Sequence, residues 1–119
     1  MKETDLLIDK IVKGMQEKKA HNVVIVNLEG IDDTICKAFV ICTANSPSHM
    51  QALADSITET VRREANSKPI AVNGLRQGVW VAMDYVDVIV HIFLDETRDF
   101  YDIEHLWADA QLTEIADVM

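Results

Sequence analysis

Trp80, Asp84, Asp87, His91 and Trp107 crowd one stretch of the C-terminal half. Two carboxylates at a strand end, such as Asp84 and Asp87, can hold magnesium for phosphoryl or nucleotidyl transfer. That chemistry also needs a cradle of backbone amides for the phosphates. The stretch placed to supply one, Thr43-Ala44-Asn45-Ser46, has no glycine. Asp84 and Asp87 therefore read better as turn carboxylates, solvated or bonded to turn amides. His91 stands between Val90 and Ile92 and could be a base or a metal ligand. With no carboxylate or cysteine beside it in sequence, it reads better as a core histidine with one ring nitrogen satisfied. Cys36 and Cys42 lack nearby His or Cys partners and read as free thiols rather than a zinc site. No Gly-x-Ser-x-Gly elbow or Cys-His constellation occurs, and Ser46, before Pro47, reads as a helix cap. The residues thus assign no catalytic group, no metal and no cofactor.

Trp80 is the most informative side chain. It shares a strand face with Ala82 and Asp84. If that face is core, Asp84 lies at its rim. If it is exposed, Trp80 is a large apolar group in water beside an acid, the kind of residue that anchors protein interfaces. The residues leave both readings open. Tyr85, at the turn, is expected to be exposed, and Trp107 to pin the last helix to the sheet.

The elements that carry these residues follow from periodicity. Leu7, Ile8, Ile11, Val12 and Met15 form one helical face, which predicts a helix over 4–19 capped by Thr4 or Asp5. Strands are expected at 23–28 and 38–43, with a polar turn at 29–34 between them. Ser46-Pro47 opens a second helix, with Met50, Leu53, Ala54, Ile57 and Val61 as its buried stripe. Short strands follow at 70–72, 79–84 and 87–94. The last two are joined only by Tyr85-Val86, a tight antiparallel hairpin. The strand at 88–94 is apolar on both faces and should be central. A helix over 97–106 should turn Phe100, Ile103 and Leu106 inward. The fold class is α/β, a mixed five-stranded sheet with helices packed on it. Residues 1–110 form one domain, and 111–119 are expected as a loosely held tail.

Composition limits the partners. The chain has 119 residues, one domain by length. Twenty acidic against eleven basic residues give a net charge of −9. Phosphate neutralisation supplies most non-specific nucleic-acid affinity, so little or no direct RNA contact is expected. Such a charge suits a basic protein partner, which it would steer and orient. No apolar run approaches the ~20 residues that span a bilayer, so no membrane role is expected. The start, Lys2-Glu3-Thr4-Asp5, lacks the pattern of a signal peptide, which implies the cytoplasm.

The segment GVWVAMDYVDVIVHIFLDETRDFYDIEHLWADA, residues 78–110, resembles the C-terminal signature of the Iojap or ribosomal silencing factor family. The pattern is a Trp-bearing strand ending in Asp-aromatic-x-Asp, an apolar strand with His, and then Arg-x-Phe-Tyr-Asp-x-Glu-x-Leu-Trp. Here these are Trp80, Asp84, Tyr85, Asp87, His91, Arg98, Phe100, Tyr101, Asp102, Glu104, Leu106 and Trp107. VVIVNLEG and FVICTANSPSHMQALAD fit more loosely. The family usually has Gly where this chain has Val86, which suggests a differently shaped turn. It often has Thr-Asp at Cys36–Lys37 and Thr-Gly-Thr-Ser over 43–46.

The resemblance implies a nucleotidyltransferase-like fold without a working active site. It also implies binding to the large ribosomal subunit at its subunit-facing protein fourteen. A domain docked there would block the small subunit and repress translation, for example in starvation. Assembly of the large subunit through the same surface is the alternative, and a minimal nucleotidyltransferase a more remote one. On this reading Trp80, Asp84, Tyr85, Asp87 and Arg98 are the partner-binding residues, and Trp80 leans toward interface contact. An open sheet edge and an exposed Trp would also permit a homodimer when the protein is free.

Overall fold

The computed structural model describes residues 3–32 and 34–118. Lys2, Asp33 and Met119, which enter the expected N-terminus, turn and tail, lie outside the described residues. The elements are α1 (Glu3–Glu17), β1 (His21–Asn27), β2 (Ala38–Ala44), α2 (Pro47–Ala65), β3 (Ala71–Asn73), β4 (Trp80–Asp84), β5 (Val88–Leu94), α3 (Asp95–Tyr101), a 3-10 turn (Ile103–His105) and β6 (Gln111–Ile115). The sheet order is β3-β4-β5-β2-β1-β6. Only β2 and β5 run parallel; the other neighbours are antiparallel.

Strand alternation divides the core into two layers. On the first face, Val40 and Cys42 of β2 and Val88, Val90 and Ile92 of β5 meet α1 and α2, through residues such as Ile11, Met15, Leu53 and Ile57. On the second, Phe39, Ile41 and Phe93 pack with Val24, Val26 and Ile103. β2 and β5 are therefore covered on both sides, as apolar parallel strands require.

The helices follow their sequence signals closely where packing agrees. Ser46 caps α2, its hydroxyl accepting the His49 N–H at 3.1 Å, with Pro47 at the first helical position. Asn66, left-handed at φ +50°, ends the helix. α1 begins at Glu3, so Thr4 and Asp5 lie inside the helix rather than capping it, and Thr4 is buried. α1 and α2 cross closely at Gly14. A Cβ there would stand 2.8 Å from Ile57 Cα, and the Gly14 carbonyl accepts the Ser56 hydroxyl at 2.8 Å.

Two expectations are corrected. The chain over 111–115 is a sixth strand, where a loose tail was expected. β1 is apolar on both faces and needs a neighbour on its outer side; β6 pairs there, and Asp117 accepts the Asn22 N–H at 3.0 Å just beyond it. The last helix is also shorter than its pattern suggests. Asp102 turns left-handed at φ +44° and closes α3 by donating its N–H to the Arg98 carbonyl. That break re-aims the chain, so Ile103 is buried while Phe100 (80% exposed) and Leu106 (61%) face outward.

Candidate functional site

The candidate site is built on the β4–β5 hairpin and on α3, which covers part of the second sheet face. Trp80 pairs with Phe93 and Asp84 with Ile89. Three residues, Tyr85 to Asp87, make the link, one more than expected. The Tyr85 N–H donates to the Val88 carbonyl at 2.8 Å and the Asp87 N–H to the Tyr85 carbonyl at 2.9 Å. The Asp84 carboxylate accepts the Val86 N–H at 2.8 Å, while Asp87 lies 3.8 Å from the Lys37 ammonium. Both acids thus have local partners at the turn. Val86 itself is left-handed at φ +73°, a conformation that suits glycine better than a β-branched residue.

Tyr85 departs from its expected exposure. Its backbone sits in the turn, but Val81, Met83 and Tyr85 follow one strand parity, and that parity points into the first core layer. The ring is 4% exposed. Burial pushes the phenol up to about 12. Its hydroxyl has no hydrogen-bond partner among the described residues.

Trp80 lies between its two sequence readings. It is half-buried on the second sheet face. Its ring stacks on Phe93 at a centroid distance of 4.9 Å and meets Tyr101 at 4.8 Å. Its indole N–H donates to His91 Nδ1 at 3.0 Å. His91 is buried beside Phe39, with ring centroids 4.7 Å apart, and burial pushes the imidazole down to about 4. One ring nitrogen is thus satisfied, as the sequence suggests for a core histidine.

Tyr101 carries the aromatic cluster to the surface. It is 49% exposed, and Phe100 meets it edge-on at 5.0 Å. Trp80, Tyr101 and Phe100 therefore form one aromatic surface, running from a buried stack to a fully exposed ring. Phe100 and Tyr101 were not singled out from sequence as partner-binding residues. The available signal was their adjacency, since neighbouring residues of a helix cannot both face one core.

Arg98 corrects another expectation. Expected among the partner-binding residues, it is buried instead. Its guanidinium makes a forked pair with Glu104 at 2.9 and 3.2 Å, and donates to the Asn22 carbonyl at 2.6 Å and the Thr43 hydroxyl at 2.9 Å. It ties α3 and the following turn to β1 and β2. Only arginine's planar set of donors can meet these acceptors together. Trp107 packs edge-on against Phe39 at 5.6 Å and pins the segment after the 3-10 turn. Cys36 and Cys42 are free and buried, and burial pushes the Cys42 thiol up to about 12.

An open groove of about 910 Å³ runs between α3, β1 and β6. Asp95, Asp99, Asp102, Glu104, Glu114 and Asp117 line it. Arg98 and His105 line it as well, and of its acids Asp99 and Asp102 flank Phe100 and Tyr101 in the chain.

A model of the family described as "Ribosomal silencing factor during starvation" matches residues 1–119. The chain belongs to this RsfS family. The ribosomal silencing factor RsfS of Halalkalibacterium halodurans is 35% identical over 113 residues, covering 95% of each chain. A crystal structure of a Chromobacterium violaceum protein shares the fold, with a TM-score of 0.81 at 24% identity, covering 98% of this chain and 94% of that one. A mouse protein named for mitochondrial assembly of the ribosomal large subunit is 25% identical over 115 residues, covering 92% of this chain and 50% of its own length.

Proposed function

We propose that the chain represses translation by docking on the large ribosomal subunit, at its subunit-facing protein fourteen, and there blocking the small subunit sterically. The observation that carries this reading is the match of the whole chain to the ribosomal silencing family. The geometry supports it. Trp80, Tyr101 and Phe100 offer large, stiff rings of the kind that dominate interface energies. Asp99 and Asp102, which flank Phe100 and Tyr101 in the chain, and the net charge of −9 suit a basic protein surface. Trp80 remains the main anchor, with Asp84 and Asp87 at the hairpin rim. Tyr85 and Arg98 take a different part: buried, they hold the surface in place rather than touch the partner.

On this reading the protein acts by binding, in the cytoplasm, with neither catalysis nor cofactor. No helix among the described residues is long and apolar enough to cross a membrane. Calorimetry with magnesium and nucleoside triphosphates should give no heat; saturable heat would revive the nucleotidyltransferase reading. The name of the mouse relative favours a second role, assembly of the large subunit through the same surface. The test of docking is co-sedimentation with purified large subunits. Binding that survives Trp80→Ala in a folded protein would move the interface elsewhere. Depletion that leaves precursors of the large subunit would favour the assembly role.

A further inference from the structure

Trp80 and His91 sit diagonally across the β4–β5 pair, since Trp80 opposes Phe93 and His91 opposes Ala82. Both side chains lie on the second sheet face, within reach of each other. The indole N–H donates to His91 Nδ1 at 3.0 Å. An imidazole that accepts at Nδ1 is neutral and carries its proton on Nε2. Here Nε2 is buried and has no hydrogen-bond partner among the described residues. An unpaired buried N–H is destabilising, and a phenylalanine would fill the space beside Phe39 and Phe93 without it. Packing therefore does not account for a histidine at this position. The bond made by its other nitrogen does.

We infer that His91 is a positioning residue: its Nδ1 fixes the Trp80 indole in the orientation that the docking surface requires. The inference rests on the docking reading of Trp80 given above. Without the acceptor, the half-buried indole N–H would have to reach water, as buried Trp N–H groups seek a partner. The ring would then leave its stack on Phe93 and its contact with Tyr101. A ring held in one rotamer before binding has less freedom to lose on docking, which strengthens the complex without adding a contact. There is a consequence for the partner. With its N–H satisfied inside the protein, Trp80 presents an apolar ring and no donor. The group that covers it is then aliphatic or cationic rather than a hydrogen-bond acceptor.

The first readout needs no ribosome. In isotope-labelled protein, NMR should show the Trp80 indole N–H protected from exchange. It should also show His91 protonated on Nε2 alone, with a through-bond coupling between the two nitrogens. His91→Phe keeps a ring but removes the acceptor. His91→Asn places a carbonyl oxygen near the position of Nδ1. The phenylalanine variant should lose indole protection and bind large subunits about ten-fold more weakly, and the asparagine variant should recover most of both. A wild-type His91 protonated on Nδ1 would overturn the inference. So would a His91→Phe protein that binds normally while Trp80→Ala does not. If Trp80→Ala also binds normally, the docking reading has failed, and the NMR result alone decides whether His91 holds the indole. If His91→Phe does not fold, the wild-type tautomer and the asparagine variant decide it.

Discussion

Replacing Val86 by glycine is expected to stabilise the protein. The residue sits at φ +73° with 58% of its surface exposed. A left-handed backbone drives Cβ toward the following carbonyl oxygen, at a cost of ~1–2 kcal/mol for an L-residue. A β-branched side chain is among the least suited to this region. Glycine removes the clash, against ~0.5–1 kcal/mol of added freedom in the unfolded chain. The valine is mostly exposed, so little burial is lost. The Val86 N–H bond to Asp84 involves the backbone and survives the change. The balance is a gain of about 0.5–1 kcal/mol, or roughly 2–4 °C in Tm for a chain of this length. Val86→Ala keeps Cβ and most of the clash, and should melt below the glycine variant. Thermal unfolding followed by circular dichroism, with urea midpoints as a second measure, tests this. A glycine variant that melts at or below the wild type would refute the reasoning. An alanine variant that matches glycine would show that the gain does not come from the left-handed turn.

Gly14→Ala should cost ~1–3 kcal/mol by forcing α1 and α2 apart at Ile57, seen as a lower urea midpoint with unchanged slope. Arg98→Ala strands the half-buried Glu104 carboxylate and should cost ~3–5 kcal/mol. Arg98→Lys should recover little of this, because a lysine cannot make the fork to Glu104 while reaching Asn22 and Thr43. His91, pushed down to about 4 when folded, takes up a proton in the unfolded chain first as pH falls. Its contribution is therefore complete above about pH 6.5 and is lost on going down toward pH 4, by roughly 3 kcal/mol in all. The difference in stability between wild type and His91→Phe, measured across that window, should show this slope.

Much of the fold was legible because pattern and packing agree. The stripe from Leu7 to Met15, the Ser46-Pro47 start and the doubly apolar strand at 88–94 each specify an element and a face. Where reading failed, the information lay in distant parts of the chain. Arg98 looks like a solvated helix charge, and its acceptors Asn22 and Thr43 are 76 and 55 residues away. Gln111–Ile115 is only half apolar and becomes a strand because β1 has an open edge to pair. Tyr85 sits at a turn, which argues for exposure, but shares strand parity with Val81 and Met83, and packing follows the parity. The pattern that points Phe100 and Leu106 inward runs a helix through Asp102, whose left-handed backbone leaves no mark in the hydrophobic pattern. Trp80 is open to two readings in sequence because it is half-buried and its role depends on Tyr101 and His91, neither adjacent to it in the chain.

The central claim is that the aromatic surface docks on the large subunit and keeps the small subunit away. Subunit joining, followed by light scattering or gradient sedimentation with saturating protein, tests it most directly. Wild-type protein should reduce the fraction of joined ribosomes, and Trp80→Ala, weakened by roughly 2 kcal/mol or more, should need about 30-fold more protein for the same effect. Unchanged joining in the presence of saturating wild-type protein would contradict the account.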